Sequence, residues 1–205
     1  MSTAAGLVQL SGSEPRSACD GIRVDKALVL GTHAWMAFRC NLPEMARRSA
    51  CGLREVLAWD LLDTLMDLPA GLPVPATALS RPARRRVQAA PAGVLRVIDG
   101  QVIRELVPPV TPLLGVITSR DWTGGLARAS RFAPYCRRMV IGPEFPADSD
   151  LLRTAAHLGI GVAVRSKAKS AEVLLEPEPV HDWQPTTAWW RFCETIYGQA
   201  GEVRA

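Results

Sequence analysis

The chain has 205 residues and a formal net charge of +4, with 48% hydrophobic and 21% charged residues. This length is ample for a domain with a hydrophobic core, and the composition excludes a chain that is disordered throughout. Arginine supplies all but three of the 24 basic side chains. Because arginine makes planar, bidentate contacts to phosphate or carboxylate, the charge permits nucleic-acid binding without requiring it.

The beginning of the chain lacks the basic and apolar pattern of a signal peptide, and its apolar runs are too short to cross a bilayer. We therefore expect a cytoplasmic protein that does not contact membranes. The five cysteines are odd in number and contain no CxxC pair, which favours buried free thiols over disulfides or a zinc site. The three histidines have no metal-binding spacing, so we expect no cofactor.

The N-terminal half predicts a tail over residues 1–20 and then one α/β domain over residues 21–198. Asp25 suggests the N-cap of a helix in the apolar segment that ends at Cys40, with a strand over Ala27–Leu30 as the alternative. Three further predictions follow in chain order: a short helix over Pro43–Ser49, a helix over Cys51–Leu68 with leucines at 3.6-residue spacing, and a loop or short helix over Gly71–Pro91.

The C-terminal half alternates strands and helices. The predicted elements are strands over 94–98 and 101–107 around an Asp99-Gly100 turn, a buried strand over 113–118, a helix from Trp122 to about Tyr135 capped near Asp121, a strand over 138–142, a helix over 149–157, a hairpin of 161–165 with 171–175, and a helix over 186–197. Residues 199–205 are expected to form a second tail. This order predicts an α/β fold with a mixed central sheet flanked by helices.

The element order and three segments carry a resemblance to a known superfamily. The segments are Val116–Trp122, Arg131–Ile141 and Ala155–Val162, the last ending in a Gly-Ile-Gly-Val turn. Over about residues 51–179 the chain resembles the core of the PD-(D/E)XK, or restriction-endonuclease-like, superfamily. The resemblance implies this core fold with extra helices at both ends.

Members of that superfamily hold a divalent metal with an acid on the second strand and another on the third, and a lysine follows the second acid. The resemblance places the third-strand acid near Gly115 and the lysine at Ile117, where neither side chain binds metal. Glu105, Asp99 and Asp121 are the nearby carboxylates, although Asp-Gly is mainly a turn device and Asp121 is explained as a helix cap. Only an active nuclease built on these displaced ligands would require Mg2+.

We therefore expect a degenerate, catalytically inactive nuclease-like protein that binds nucleic acid or serves as an assembly subunit. The predicted phosphate contacts are Arg81, Arg84, Arg85, Arg86, Arg120, Arg128 and Arg131, with the last two on one helix face. One alternative is the active nuclease; the other is a protein–protein module or homo-oligomer that uses Trp183, Trp189 and Trp190. For these three tryptophans, core packing or a dimer contact is favoured over stacking on bases. Three other tryptophans, Trp35, Trp59 and Trp122, are expected to be core or half-buried.

Overall fold

The structure, a computed structural model, describes residues 21–144, 149–165, 171–180 and 184–200. In chain order its elements are β1 (Ile22–Val29), β2 (Thr32–Cys40), α1 (Leu42–Cys51), α2 (Trp59–Met66), β3 (Pro73–Pro75), a 3-10 turn (Ala76–Ala78), α3 (Arg81–Ala89), β4 (Leu95–Ile98), β5 (Gln101–Arg104), β6 (Val110–Thr118), α4 (Trp122–Ser130), β7 (Arg137–Gly142), α5 (Ser149–His157), β8 (Ile160–Arg165), β9 (Ala171–Leu175) and α6 (Thr187–Gln199). No described helix is long and apolar enough to cross a membrane.

The chain divides into two compact units, each built from discontinuous segments. Unit 1 comprises Met1–Cys40 and Thr111–Gln184, and unit 2 comprises Asn41–Val110 and Pro185–Ala205. Unit 1 contains a six-stranded sheet in the order β1-β2-β6-β7-β8-β9, and unit 2 contains a three-stranded sheet in the order β3-β5-β4. The predicted α/β class with a mixed central sheet is confirmed.

The sheet of unit 1 is parallel in its middle and antiparallel at its described outer pairs. Strands β6, β7 and β8 run parallel, and α4 and α5 make the two crossover connections between them, whereas β1–β2 and β8–β9 are antiparallel. One face of this sheet carries a buried cluster of Ala37, Leu114, Val116, Met139, Ile141 and Ala163. These residues alternate along their strands, as the two-residue period of a pleated sheet requires.

The helices of unit 2 pack against one another. Helix α2 contacts both α3 and α6. Its leucines Leu61, Leu62 and Leu65 are buried, as are Val102 of β5 and Trp190 of α6. The Asp99-Gly100 turn joins β4 to β5 as predicted, and both turn residues have positive φ, as a two-residue hairpin turn needs.

Several predicted elements are confirmed within a few residues of their bounds. These are the helices α1, α4, α5 and α6 and the strands β4, β6, β7, β8 and β9. The segment predicted as a loop or short helix contains β3 and α3. The predicted return strand is shorter than expected, because β5 ends at Arg104 and leaves Glu105 outside it. The hairpin of β4 and β5 lies in the small sheet and not in the central one.

The helix predicted from Asp25 is wrong, and the strand alternative is correct. The two strands pair antiparallel around a Leu30-Gly31 turn, and burial alternates only near that turn, at the end of β1 and the start of β2. Leu30 has φ of 51°, a left-handed conformation that leucine seldom adopts. Gly31, with φ of 71°, is an ordinary turn residue, but Leu30 beside it is not one that a sequence pattern predicts in a hairpin turn.

The helix predicted over Cys51–Leu68 is also wrong in its first half. Gly52 adopts a left-handed conformation and ends α1, and α2 begins only at Trp59. Between them, Leu53 and Val56 are buried in non-helical chain, so their spacing imitates a helix. The Val56 backbone N–H donates to the carboxylate of Glu194 and not to a helical carbonyl.

The predicted tail over 1–20, the turn over 167–170 and Trp183 lie outside the described residues, as do all but the first two residues of the tail predicted over 199–205.

Candidate nucleic-acid interface

Helix α3 presents three exposed arginines on one side. Ser80 caps the helix by accepting from the Ala83 N–H, and Pro82 stands in the first turn, where its missing N–H costs nothing. Val87 is the buried contact of the helix. Arg81, Arg84 and Arg85 follow the i, i+3, i+4 spacing that places side chains on one helix face, and all three are exposed.

Arg86, the fourth predicted arginine of this helix, differs from the other three. Its guanidinium lies 3.6 Å from a carboxylate oxygen of Asp60 and donates to the hydroxyl of Thr64 at 3.3 Å. Arg86 therefore joins α3 to α2 and is not available as a free phosphate contact. Among the described residues, no ion pair occupies Arg81, Arg84 or Arg85.

The second predicted arginine cluster lies in unit 1 and is divided among different contacts. Arg120 is exposed. Arg128 donates to the hydroxyl of Ser119 at 2.8 Å, at the carboxyl end of β6. Arg131 donates instead to the carbonyl of Leu30 at 3.5 Å. That Arg128 and Arg131 act together on nucleic acid stays a prediction, and the two side chains contact different parts of the unit.

The two neighbouring arginines on β7 are half-buried. Burial lowers the pKa of Arg138, whose guanidinium donates to the carbonyl of Leu158 at 2.7 Å. Arg137 starts β7 and is likewise half-buried. These two side chains are therefore not part of a fully exposed basic surface of unit 1.

The three carboxylates considered as metal ligands each have a local structural role. Glu105 pairs with Arg96 at 3.1 Å, and Asp121 caps α4 by accepting from the Gly124 N–H. Asp99 stands in the hairpin turn, and the extended chain from there to Glu105 covers roughly 15 to 20 Å. Glu105 and Asp99 belong to unit 2 and Asp121 to unit 1. The β5 strand thus holds Asp99 and Glu105 too far apart to share one cation.

The position expected for a third-strand acid is filled by apolar packing. A Cβ built on Gly115 would lie 3.5 to 3.6 Å from Met36, Phe132 and Cys136, and Ile117 is buried. Burial raises the pKa of the Cys136 thiol to about 12, an effect that a backbone hydrogen bond from Gly115 only partly offsets. A carboxylate at position 115 would be buried here among apolar side chains.

A buried ionic network in unit 2 was missed by the sequence reasoning. The Arg48 side chain is fully buried and bonds to Glu44 on its own helix and to Glu194 on α6. Burial is the largest influence on the Arg48 pKa and lowers it, but the hydrogen bonds and charges of the two glutamates raise it above its ordinary value. The available signal was Glu194 itself, the one acid in a helix that is rich in apolar and aromatic residues.

The tryptophans separate into buried and exposed members. Trp189 and Trp190 are buried in unit 2, which confirms their core role and removes them from any partner surface. Trp35 is half-buried and Trp122 buried, as predicted. Trp59 is the most exposed of the described tryptophans: it is 47% exposed at the start of α2, so it is half-buried and not part of the core.

Comparison with known proteins gives no relative for this chain. No family model matches it, and neither the curated proteins nor the solved structures contain a significant match. In the described ranges, no three His, Cys, Asp or Glu side chains form a group that could hold a metal ion.

Proposed function

We propose that this chain binds nucleic acid through the exposed face of α3 and does not cut it. The observation that carries the proposal is the row of Arg81, Arg84 and Arg85 described above. Side chains at this spacing lie about 5 to 6 Å apart at their Cβ atoms, a separation suited to neighbouring phosphates. Guanidinium groups also match phosphate geometry in a bidentate manner.

The start of α3 adds a further reason for an anionic partner. Arg81 is the first residue of the helix, and the first turn contains no acid. The N-terminal end of a helix carries a partial positive charge, so a cation there is unfavourable until an anion approaches. A bound phosphate would relieve this repulsion and would also contact the arginines.

The proposal that the chain does not cut nucleic acid rests on the three candidate carboxylates. Glu105 is engaged by Arg96, Asp121 is engaged as a helix cap, and the β5 strand separates Asp99 from Glu105. The resemblance to the PD-(D/E)XK superfamily would then describe a scaffold that has lost its metal ligands.

Binding is tested by fluorescence anisotropy with labelled oligonucleotides between 50 and 200 mM NaCl. We expect Arg81→Ala/Arg84→Ala/Arg85→Ala to weaken binding about 30-fold, at roughly 0.7 kcal/mol for each exposed contact. Three phosphate contacts predict a log–log salt slope of about −2 for a single strand, which should approach zero in the variant. The control, Arg54→Ala/Arg153→Ala/Arg191→Ala, removes equal charge from exposed sites outside the predicted clusters.

Equal affinities of the two triple variants would refute the α3 interface. Cleavage is tested separately by incubating the same oligonucleotides with Mg2+ or Mn2+. Cleavage that Glu105→Ala abolishes would refute the inactive part of the proposal and leave the interface standing.

A further inference from the structure

Trp59 exposes a large aromatic surface beside the basic helix. It is the first residue of α2, and 47% of it is exposed, as is 42% of Leu57 just before it. Most of an indole ring is apolar, so leaving it in water forgoes the free energy that burial would give. An exposed flat aromatic ring is also the kind of platform on which a nucleic-acid base stacks.

The ion pair between Asp60 and Arg86 fixes Trp59 and the arginine face in neighbouring parts of unit 2. Asp60 follows Trp59 along α2, and Arg86 follows Arg85 along α3. The pair joins these two helices at 3.6 Å, and the bond from Arg86 to Thr64 reinforces the contact. The negative charge of Asp60 is balanced by Arg86, so Asp60 does not offset the positive charge of the three exposed arginines.

This juxtaposition distinguishes between kinds of nucleic acid. Arginines that contact phosphates accept any strand, but an aromatic ring can stack only on a base whose face is open. Bases in a duplex are stacked on one another, and exposing one costs a few kcal/mol. We infer that the ligand of α3 is a single strand, with its phosphates on Arg81, Arg84 and Arg85 and one base stacked on Trp59.

The inference rests on the proposed function, and its test keeps the two separate. Anisotropy is measured at 50 mM NaCl with labelled dT12 and with a 12-base-pair duplex. We expect Trp59→Ala to weaken dT12 binding about 10-fold, within the roughly 1 to 3 kcal/mol that base stacking contributes, and to leave duplex binding unchanged. Trp59→Phe retains a flat ring and should keep most of the affinity.

A matched control is Leu72→Ala, which removes another exposed apolar side chain of unit 2 and should change neither affinity. A thermal melt checks that Trp59→Ala is folded, as the exposure of the ring leads us to expect. If Trp59→Ala binds dT12 as well as the unmodified chain while the arginine variant loses affinity, the stacking inference fails and the proposed function stands.

Two other results would overturn more than the stacking contact. If neither oligonucleotide binds at 50 mM NaCl, the proposed function fails as well. If poly-glutamate displaces dT12 at equal charge concentration, the arginine face recognises negative charge in general, which fits an acidic polypeptide and contradicts a base-stacking site.

Discussion

Arg48 and Glu194 form a bidentate ion pair across 146 positions of the chain, with Nη1–Oε2 and Nη2–Oε1 distances both of 2.7 Å. Arg48 also donates to the carbonyl of Val107, and Glu194 accepts from the indole N–H of Trp190. The pair therefore connects α1, the chain after β5 and the C-terminal helix within unit 2. Every guanidinium nitrogen of Arg48 and both carboxylate oxygens of Glu194 have a hydrogen-bond partner, as buried charges must if they are not to destabilise the fold.

We expect Arg48→Met to lower the free energy of unfolding by about 3 to 5 kcal/mol, because it leaves the buried Glu194 carboxylate without its cation. Arg54→Met is the control: its ion pair with Glu55 spans 3.8 Å at an exposed site and should contribute less than about 1 kcal/mol. Urea unfolding followed by circular dichroism measures both. Equal losses in the two variants would show that the buried network adds nothing.

The features that the sequence predicts well are those set by neighbouring residues. Asp121 and Thr186 cap helices because each accepts a backbone N–H three residues later, and Asp99-Gly100 turns the chain on its own. The Arg48–Glu194 pair could not be predicted this way. Glu44 and Arg48 have the same i, i+4 spacing as any surface pair, and only the folded chain brings Glu194 to them.

For the same reason, only part of the candidate interface could be predicted from the sequence. Charge along α3 is visible in the sequence, but whether an arginine is free depends on packing, which engages Arg86 with Asp60 and leaves Arg85 exposed. The exposure of Trp59 was hidden because the leucine spacing suggested one long helix, in which Trp59 would be an interior residue. Its place at the first turn of a separate helix follows from the left-handed end at Gly52.

A second prediction concerns the close contact between Gly142 and Trp122. A Cβ at position 142 would overlap the indole ring, which is itself held by a hydrogen bond to the carbonyl of Glu144. We expect Gly142→Ala to cost about 1 to 3 kcal/mol, because the ring must move out of its site. The measurement is chemical unfolding.

The matched control for that variant is Gly115→Ala on the adjacent strand β6. Its Cβ would meet Met36, Phe132 and Cys136 at 3.5 to 3.6 Å, ordinary contact distances. We expect a change of less than about 1 kcal/mol in either direction, since alanine also removes the entropic penalty of a strand glycine. A cost at Gly115 as large as that at Gly142 would contradict the packing described for the two strands.

A third prediction distinguishes a turn role for Asp99 from a ligand role. Its φ of 49° is strained for a residue with a Cβ, so Asp99→Ala should cost about 1 kcal/mol, whereas Asp99→Gly should be nearly neutral. Asp67→Ala, at an exposed aspartate with φ of −76°, should cost less than about 0.5 kcal/mol. If Mg2+ instead stabilises the unmodified chain but not Asp99→Gly, Asp99 is a ligand and not a turn residue.

The last prediction is the effect of pH on stability through Cys136. Its ordinary thiol pKa is 9.0, and burial raises it to about 12 in the folded chain. Between these values the unfolded thiol loses its proton while the folded thiol keeps it, so the folded state binds more protons and its stability falls as pH rises. The slope due to this one group is about 1.4 kcal/mol per pH unit, and below pH 9 it vanishes.

Other groups also titrate in alkaline solution, so the measurement compares the unmodified chain with Cys136→Ala in urea at pH 8, 9 and 10. The difference in unfolding free energy between the two proteins should shrink with pH above 9, because the variant has lost this one penalty along with its packing. A difference that stays constant to pH 10 would mean that the Cys136 thiol ionises as readily in the folded chain as in the unfolded one, which contradicts its burial against Gly115.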